Sequence, residues 1–131
     1  MANVKIENRP LSPHLSIYKP LPTMVMSILH RITGAALYFG TVLVAWWLIA
    51  MASSEAAYET ANWFFGSLIG RLILFGYTWA LMHHILGGMR HFLWDMGAGL
   101  EKTFATKLAW ATIIGSVFLT LILWIIGYMV R

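Results

Sequence analysis

The chain has 131 residues, of which 60% are hydrophobic and only 11% are charged. A soluble domain carries about 25% charged residues, so this composition excludes an ordinary soluble globular protein. The absence of cysteine excludes disulfide bonds, iron–sulfur ligation and thiolate haem ligation by this chain. The net charge of +4 is not gathered into the basic patch that nucleic-acid binding requires, so we expect no nucleic-acid partner.

The first segment, residues 1–22, is polar and contains all four prolines of the chain. Proline disfavours helical backbone at its own position and at the residue before it. We therefore predict an irregular segment that docks on another surface.

Three windows contain no Asp, Glu, Lys or Arg, namely 32–54, 72–89 and 108–130. Each is close to the ~20 residues that a helix needs to cross ~30 Å of hydrocarbon. The sequence predicts an all-α membrane protein whose residues 23–131 form one domain of three transmembrane helices. We place these helices at about 24–51, 63–95 and 104–130, with a short outer connection at 55–62.

The basic residues are distributed unevenly between the two ends of these spans. One end carries Lys5, Arg9, Lys19, Arg31, Arg90, Lys102 and Lys107, whereas the first connection carries Glu55, Glu59 and Arg71. By the positive-inside rule the N-terminus is cytoplasmic and the C-terminus lies outside. The first residues do not have the composition of a mitochondrial transit peptide. We therefore expect the bacterial inner (plasma) membrane in preference to the mitochondrial inner membrane.

Chemistry is first expected on one face of the second helix. His84, Gly87, Gly88 and His91 follow the i, i+3, i+4, i+7 spacing that places residues on one side of a helix. Ionisable groups inside a bilayer are costly and usually functional. This face offers an imidazole, two bare stretches of backbone and a second imidazole, so a flat cofactor could lie on it. The alternative is a histidine bonded to a neighbouring helix, beside glycines that only allow close packing.

Depth in the membrane distinguishes the histidines. Because the first two helices are antiparallel, His30, Arg31, Arg90 and His91 are expected to share the cytoplasmic boundary. His84 lies six to seven residues deeper, roughly 9–10 Å, which is about the length of a porphyrin. An upright haem on His84 would then bring its propionates to His30, Arg31 and His91, which can donate hydrogen bonds to carboxylates.

A second axial ligand is not expected from this chain. His83 points about 100° away from His84 around the helix, and His30 and His91 are too shallow to reach the far side of the iron. Six-coordinate iron with two histidines would take its other ligand from a second polypeptide.

The first helix has a polar stripe near the cytoplasmic boundary that includes Ser27 and Arg31. A hydroxyl beside a guanidinium at the edge of an apolar cavity could hold the oxygens of a quinone. The alternative is helix capping together with an ordinary positive-inside arginine.

Two segments resemble the large cytochrome b membrane-anchor subunit of succinate dehydrogenase (respiratory complex II), and the length and three-span layout agree. The first is Arg9-Pro-Leu-Ser-Pro-His14-Leu-Ser-Ile-Tyr18-Lys19 followed by Ser27-Ile-Leu-His30-Arg31-Ile-Thr-Gly34. The second is His84-x-x-x-Gly88-Met-Arg90-His91-x-x-x-Asp95-x-Gly97.

The resemblance implies specific roles for these residues. His84 would be an axial ligand of haem b, with the other axial histidine supplied by the small membrane-anchor subunit. His30, Arg31 and His91 would contact the propionates, and Ser27 and Arg31 would line the ubiquinone site.

The resemblance also implies partners and a reaction. Residues 1–22 would lie against the iron–sulfur subunit, which receives electrons from the flavoprotein subunit that oxidises succinate. The chain itself, embedded in membrane lipid, would carry no succinate-oxidising site and no catalytic residue. It would serve electron transfer in the tricarboxylic acid cycle and aerobic respiration. The alternatives are the anchor of a fumarate reductase and a haem-free membrane scaffold.

Overall fold

The computed structural model describes residues 18–130, so most of the predicted docking segment (1–22) and Arg131 lie outside the described residues. The described chain forms four helices: α1 (Pro22–Ser53), α2 (Glu55–Gly66), α3 (Leu68–Asp95) and α4 (Lys102–Met129). Helices α1, α3 and α4 are each long and apolar enough to cross a membrane. The predicted all-α fold with three spans is confirmed.

The structure differs from the prediction in the outer connection. Residues 55–62, predicted as a connection, begin helix α2, and the helix predicted at about 63–95 is divided at Ser67. The reason is local capping: the Ser54 and Ser67 side chains each accept a hydrogen bond from the backbone N–H three residues further on. Hydropathy cannot reveal this division, because the residues on both sides of Ser67 are apolar.

The corner between α2 and α3 depends on Gly70. A Cβ atom at Gly70 would overlap the carbonyl oxygen of Phe64 at the end of α2. Only glycine allows the first turn of α3 to pass this close to the preceding helix, so the angle between the two helices is set here.

Helix α3 lies at the centre of the fold, because it packs against α1 and α4, and α4 also contacts α1. The interior is built mainly from small side chains, which let helices approach closely in a membrane protein. The buried apolar residues are Met26, Ala50, Ala61, Ala80 and Ala109. Helix α4 has three buried hydroxyl side chains spaced four residues apart. We call this set the hydroxyl stripe: Thr112, Ser116 and Thr120.

The loop between α3 and α4 needs two glycines. Gly97 and Gly99 have φ values of 73° and 72°, in the left-handed region that residues with a Cβ rarely adopt. Trp94 donates from Nε1 to the carbonyl of Gly99 at 3.2 Å, which ties the loop back to the end of α3.

Candidate functional site

Two histidines from different helices meet between α1 and α3. The rings of His30 and His84 are stacked, with centroids 3.9 Å apart and planes within 5° of parallel. The ring of His91, about two helical turns after His84 on α3, has its centroid 5.1 Å from that of His30. The structure thus brings together three of the predicted cofactor-binding residues, with His30 between the other two.

Glycines make this close approach possible. The ring of His30 fills the space beside Gly87, where an added Cβ would come within 2.5 Å of His30 Nδ1. The ring of His84 lies over Gly34, whose Cβ would come within 3.1 Å of His84 Cε1. A third pair, Gly40 with the ring of Tyr77, continues the same antiparallel register.

This register differs from the expected one. Arg31 and Arg90 were expected at a common level, but position 30 lies opposite position 87, so the helices are offset by about one turn. As a result His30 lies directly beside His84 and not about 10 Å above it. The expectation assumed that the charged residue at the end of each apolar window marks the membrane boundary.

Arg90 breaks that assumption because it is an interior residue. Its side chain is 4% exposed, and its guanidinium carbon lies 4.9 Å from the centroid of the Trp94 ring, over which the cation packs. Its Nε and Nη1 atoms are buried and have no hydrogen-bond partner among residues 18–130. Close helix packing at glycines, and not the position of this charge, sets the register.

The two ring nitrogens of His84 have different surroundings. Nδ1 lies 3.2 Å from the backbone carbonyl oxygen of His30 and 3.3 Å from Thr33 Oγ1. A carbonyl oxygen can only accept, so Nδ1 is the donor, and in the neutral imidazole this tautomer leaves the lone pair on Nε2. Nε2 has no hydrogen-bond partner within the described part of the chain. The half-buried ring therefore has one nitrogen fixed by α1 and the other available as a ligand.

His83 faces another helix. It is 1% exposed, and its Nδ1 lies 3.3 Å from Ser116 Oγ on α4. The hydroxyl of Ser116 donates to the carbonyl of Ile113 at 2.9 Å, so it accepts from His83. This histidine joins α3 to α4 and is turned away from His84, as the helical period predicts.

The remaining predicted site residues lie on α1 and α3, the two helices that carry the stacked pair. Among residues 18–130 no atom lies within 4 Å of a Cβ built at Gly88, whereas the space beside Gly87 is filled by His30. Ser27 and Arg31, four residues apart on α1, are exposed, as is His91 on α3. The surfaces of α1 and α3 therefore carry exposed hydrogen-bond donors and, at Gly88, uncovered backbone.

Sequence reasoning missed two buried polar groups that the structure places between helices. One is Thr33, whose buried hydroxyl touches His84. Its position three residues after His30 could have indicated a shared helix face. The other is the hydroxyl stripe of α4, which its i, i+4 spacing could have revealed in an otherwise apolar span. Among residues 18–130 no group of three His, Asp or Glu side chains is arranged to hold a bare metal ion.

Three apolar spans with a histidine site between two of them define a multi-pass helical membrane protein. Comparison with known proteins narrows this class. The family described as succinate dehydrogenase/fumarate reductase transmembrane subunit matches residues 5–123.

Individual relatives agree with the family match. The succinate dehydrogenase cytochrome b556 subunit of Paracoccus denitrificans is 45% identical over 128 residues, covering 98% of both chains. The subunit of the same name from Rickettsia conorii is 37% identical over 117 residues, covering 89% of this chain and 91% of the relative. The cytochrome b560 subunit of Marchantia polymorpha is 38% identical, covering 72% of each.

The chain belongs to this family as a cytochrome b membrane-anchor subunit of complex II. The resemblance noted in its two motifs is confirmed. Its spans and its bacterial relatives make it a multi-pass bacterial membrane protein.

Proposed function

We propose that this chain binds haem b through His84 and contributes Ser27 and Arg31 to a quinone-reduction site in a succinate:ubiquinone oxidoreductase of the bacterial inner membrane. The observation that carries the haem proposal is the hydrogen bond from His84 Nδ1 toward the His30 carbonyl at 3.2 Å. Histidines that ligate metals almost always donate their other ring N–H to such an acceptor, which fixes the tautomer and the ring orientation. The cytochrome b names of the relatives support the same cofactor.

The residues around His84 fit a haem. Haem iron needs only axial ligands from the protein, so a single available imidazole nitrogen is a sufficient contribution from this chain. Arg31 and His91 offer donors for propionate carboxylates, and the uncovered backbone at Gly88 offers a flat contact. When bound, haem b supplies a reversible one-electron redox centre. The contacts of His84 with α1 hold the imidazole in position and fix its tautomer.

The second axial histidine is proposed to come from the small membrane-anchor subunit. His30 is unsuitable, because its ring is parallel to that of His84 with a centroid separation of 3.9 Å, which leaves no space for a porphyrin between them. His83 is engaged with Ser116 on the other side of α3. The iron–sulfur subunit, against which residues 1–22 would dock, and the flavoprotein subunit would complete the assembly.

Replacement of His84 tests the haem assignment. In the purified complex, His84→Ala should lose the low-spin haem b signal in a reduced-minus-oxidised visible spectrum, because the chain then offers no axial nitrogen at this position. His83→Gln is the matched control: it keeps a donor toward Ser116 and should retain the haem. An unchanged haem b spectrum in His84→Ala would contradict the assignment and favour a haem-free scaffold.

Ser27 and Arg31 are proposed to hold the quinone oxygens. Both are exposed one turn apart on α1, so a hydroxyl and a guanidinium face the same side of the helix. Hydrogen bonds to a charged group contribute about 1.5–3 kcal/mol, which corresponds to roughly a 10- to 100-fold effect on a rate. This chain would bind and orient the quinone, while electrons arrive from the partner subunits.

Two activities measured on the same preparation test this site. Ser27→Ala and Arg31→Leu should lower quinone reduction, by about 10- to 100-fold for the arginine. Oxidation of succinate with an artificial dye should stay close to the level of the unmodified complex. Thr41→Ala, an exposed hydroxyl further along α1, should change neither activity. An equal loss of both activities in Ser27→Ala and Arg31→Leu would argue against a quinone site on this chain.

The anchor of a fumarate reductase is the second candidate, because the matched family includes both enzymes. The names of the relatives favour succinate oxidation. Comparing succinate oxidation by ubiquinone with fumarate reduction by a low-potential quinol in one membrane preparation distinguishes the two.

A further inference from the structure

Building on the haem site proposed above, we infer that Thr33 is a positioning residue for His84. Its hydroxyl oxygen accepts the Nδ1 proton together with the His30 carbonyl, and it thereby sets the orientation of the imidazole and the basicity of Nε2.

The other contacts of the Thr33 hydroxyl make its oxygen a hydrogen-bond acceptor toward His84. Oγ1 lies 2.8 Å from the carbonyl oxygen of Leu29 and 3.1 Å from that of His30. Both are acceptors, so the single hydroxyl proton points back toward the α1 backbone. The lone pairs are then free to accept, and His84 Nδ1 lies 3.3 Å away.

Burial makes this contact significant. Thr33 is 2% exposed, so water has little access to replace the histidine as a donor. An acceptor left without a donor in such a place destabilises the fold. The Thr33 oxygen therefore has Nδ1–H as its donor, while Nδ1–H has the His30 carbonyl as a second acceptor.

Thr33 is also a rigid support. A β-branched side chain has few allowed rotamers in a helix, and the bond to the backbone four residues earlier holds this one in place. The His84 ring is further confined by the stacked ring of His30 and by the backbone of Gly34. Two acceptors on one rigid helix, with neighbours on its faces, leave the imidazole little freedom to rotate.

The electronic consequence follows from hydrogen bonding at a ligand's second nitrogen. A donated Nδ1–H bond makes Nε2 more basic, and a more basic ligand favours the ferric over the ferrous iron. Removal of the Thr33 oxygen leaves one acceptor in place of two. The haem b midpoint potential should then become more positive.

The test uses the whole complex in isolated membranes, with potentiometric titration of haem b and EPR of the ferric form. Thr33→Val, which keeps the shape but removes the hydroxyl, should shift the midpoint potential to a more positive value and change the low-spin g values. Thr33→Ser should restore both. Thr41→Val is the matched control, since Thr41 bonds to its own helix in the same way but lies exposed on α1. It should leave both readouts unchanged.

A second variant tests whether the shift in potential comes from the lost hydroxyl oxygen or from the side chain that replaces it. Thr33→Ala removes the same oxygen together with the methyl group of threonine, and it should shift the potential in the same direction as Thr33→Val, because the lost oxygen is what the two variants share. Potentials and g values equal to those of the unmodified complex in both variants would overturn the role of Thr33. That result would leave the haem site intact as long as His84→Ala still loses the haem. Haem retained by His84→Ala would instead overturn the proposed function itself.

Discussion

At the scale of single residues, the site is organised by glycines that make room for rings. Gly87 admits His30, and Gly34 admits His84. A spacing pattern shows that glycines share a face with a histidine, but it does not show what fills the space beside each one. Gly87 and Gly88 look equivalent in the sequence, yet the structure closes one with an imidazole and leaves the other open.

The ring beside Gly87 predicts different outcomes for alanine at two glycines of α3. Gly87→Ala should destabilise the complex by about 1–3 kcal/mol, because the new methyl group forces the His30 ring to move. Gly76→Ala, at a glycine of α3 outside the proposed haem site, should be neutral or slightly stabilising, since its Cβ meets no atom of residues 18–130 within 4 Å and alanine favours helix. The Tm of each purified complex measures the effect. Equal Tm values for the two variants would show that His30 does not occupy the space beside Gly87.

At the scale of elements, α3 packs against α1 through aromatic rings that lie beside glycines, and against α4 through polar contacts. His83 and Ser116 form the buried centre of that second interface. A further bond runs from Trp124 Nε1 to Thr78 Oγ1 at 3.3 Å. In a bilayer the hydrophobic effect does not join helices, so close packing and hydrogen bonds between helices contribute to their association.

Removal of the Ser116 hydroxyl should therefore weaken the α3–α4 interface. Ser116→Ala leaves the buried His83 Nδ1 without its acceptor, and we expect a loss of about 0.6–1.7 kcal/mol. The loss is measured as a lower Tm of the complex. Ser53→Ala is the control, because that hydroxyl, at an exposed position, bonds to the carbonyl of Ile49 in its own helix. Ser116→Ala and Ser53→Ala with the same Tm would contradict the interface role of Ser116.

The elements also show what the sequence could and could not predict. Charge-free windows identified the three spans, because the bilayer sets both their length and their composition. The break at Ser67 was missed because it arises from side-chain capping inside a continuous apolar stretch. The predicted register of α1 against α3 differs from the observed one by about one helical turn, because Arg90 is a buried residue and does not mark the membrane boundary. Periodicity placed His84 and His83 on different faces, but it could not identify Thr33 as the acceptor.

At the scale of the whole molecule, three spans place the two ends of the bundle on opposite sides of the membrane. The loop between α3 and α4 adjoins Arg90, Lys102 and Lys107. The stretch around α2 carries Glu55 and Glu59. The positive-inside rule predicts that the loop at 96–101 is cytoplasmic and that α2 lies outside.

Alkaline phosphatase fusions test this orientation, because the enzyme is active only outside the cytoplasm. A fusion at the end of α4 and a fusion truncated near Ser54 should both be active. A fusion truncated at Gly99 should be inactive, and the same truncation fused to green fluorescent protein should fluoresce. The reverse pattern would show that the N-terminus lies outside.

The paired glycines and rings of α1 and α3 also restrict how these helices can change in length. Inserting or deleting one residue rotates everything beyond it by about 100° and shifts it by about 1.5 Å. Between positions 30 and 40, or between 77 and 87, one such change would separate at least one ring from its glycine. Insertions and deletions should therefore be tolerated at 54 and at 96–101 and excluded from these two stretches, whatever residues fill them.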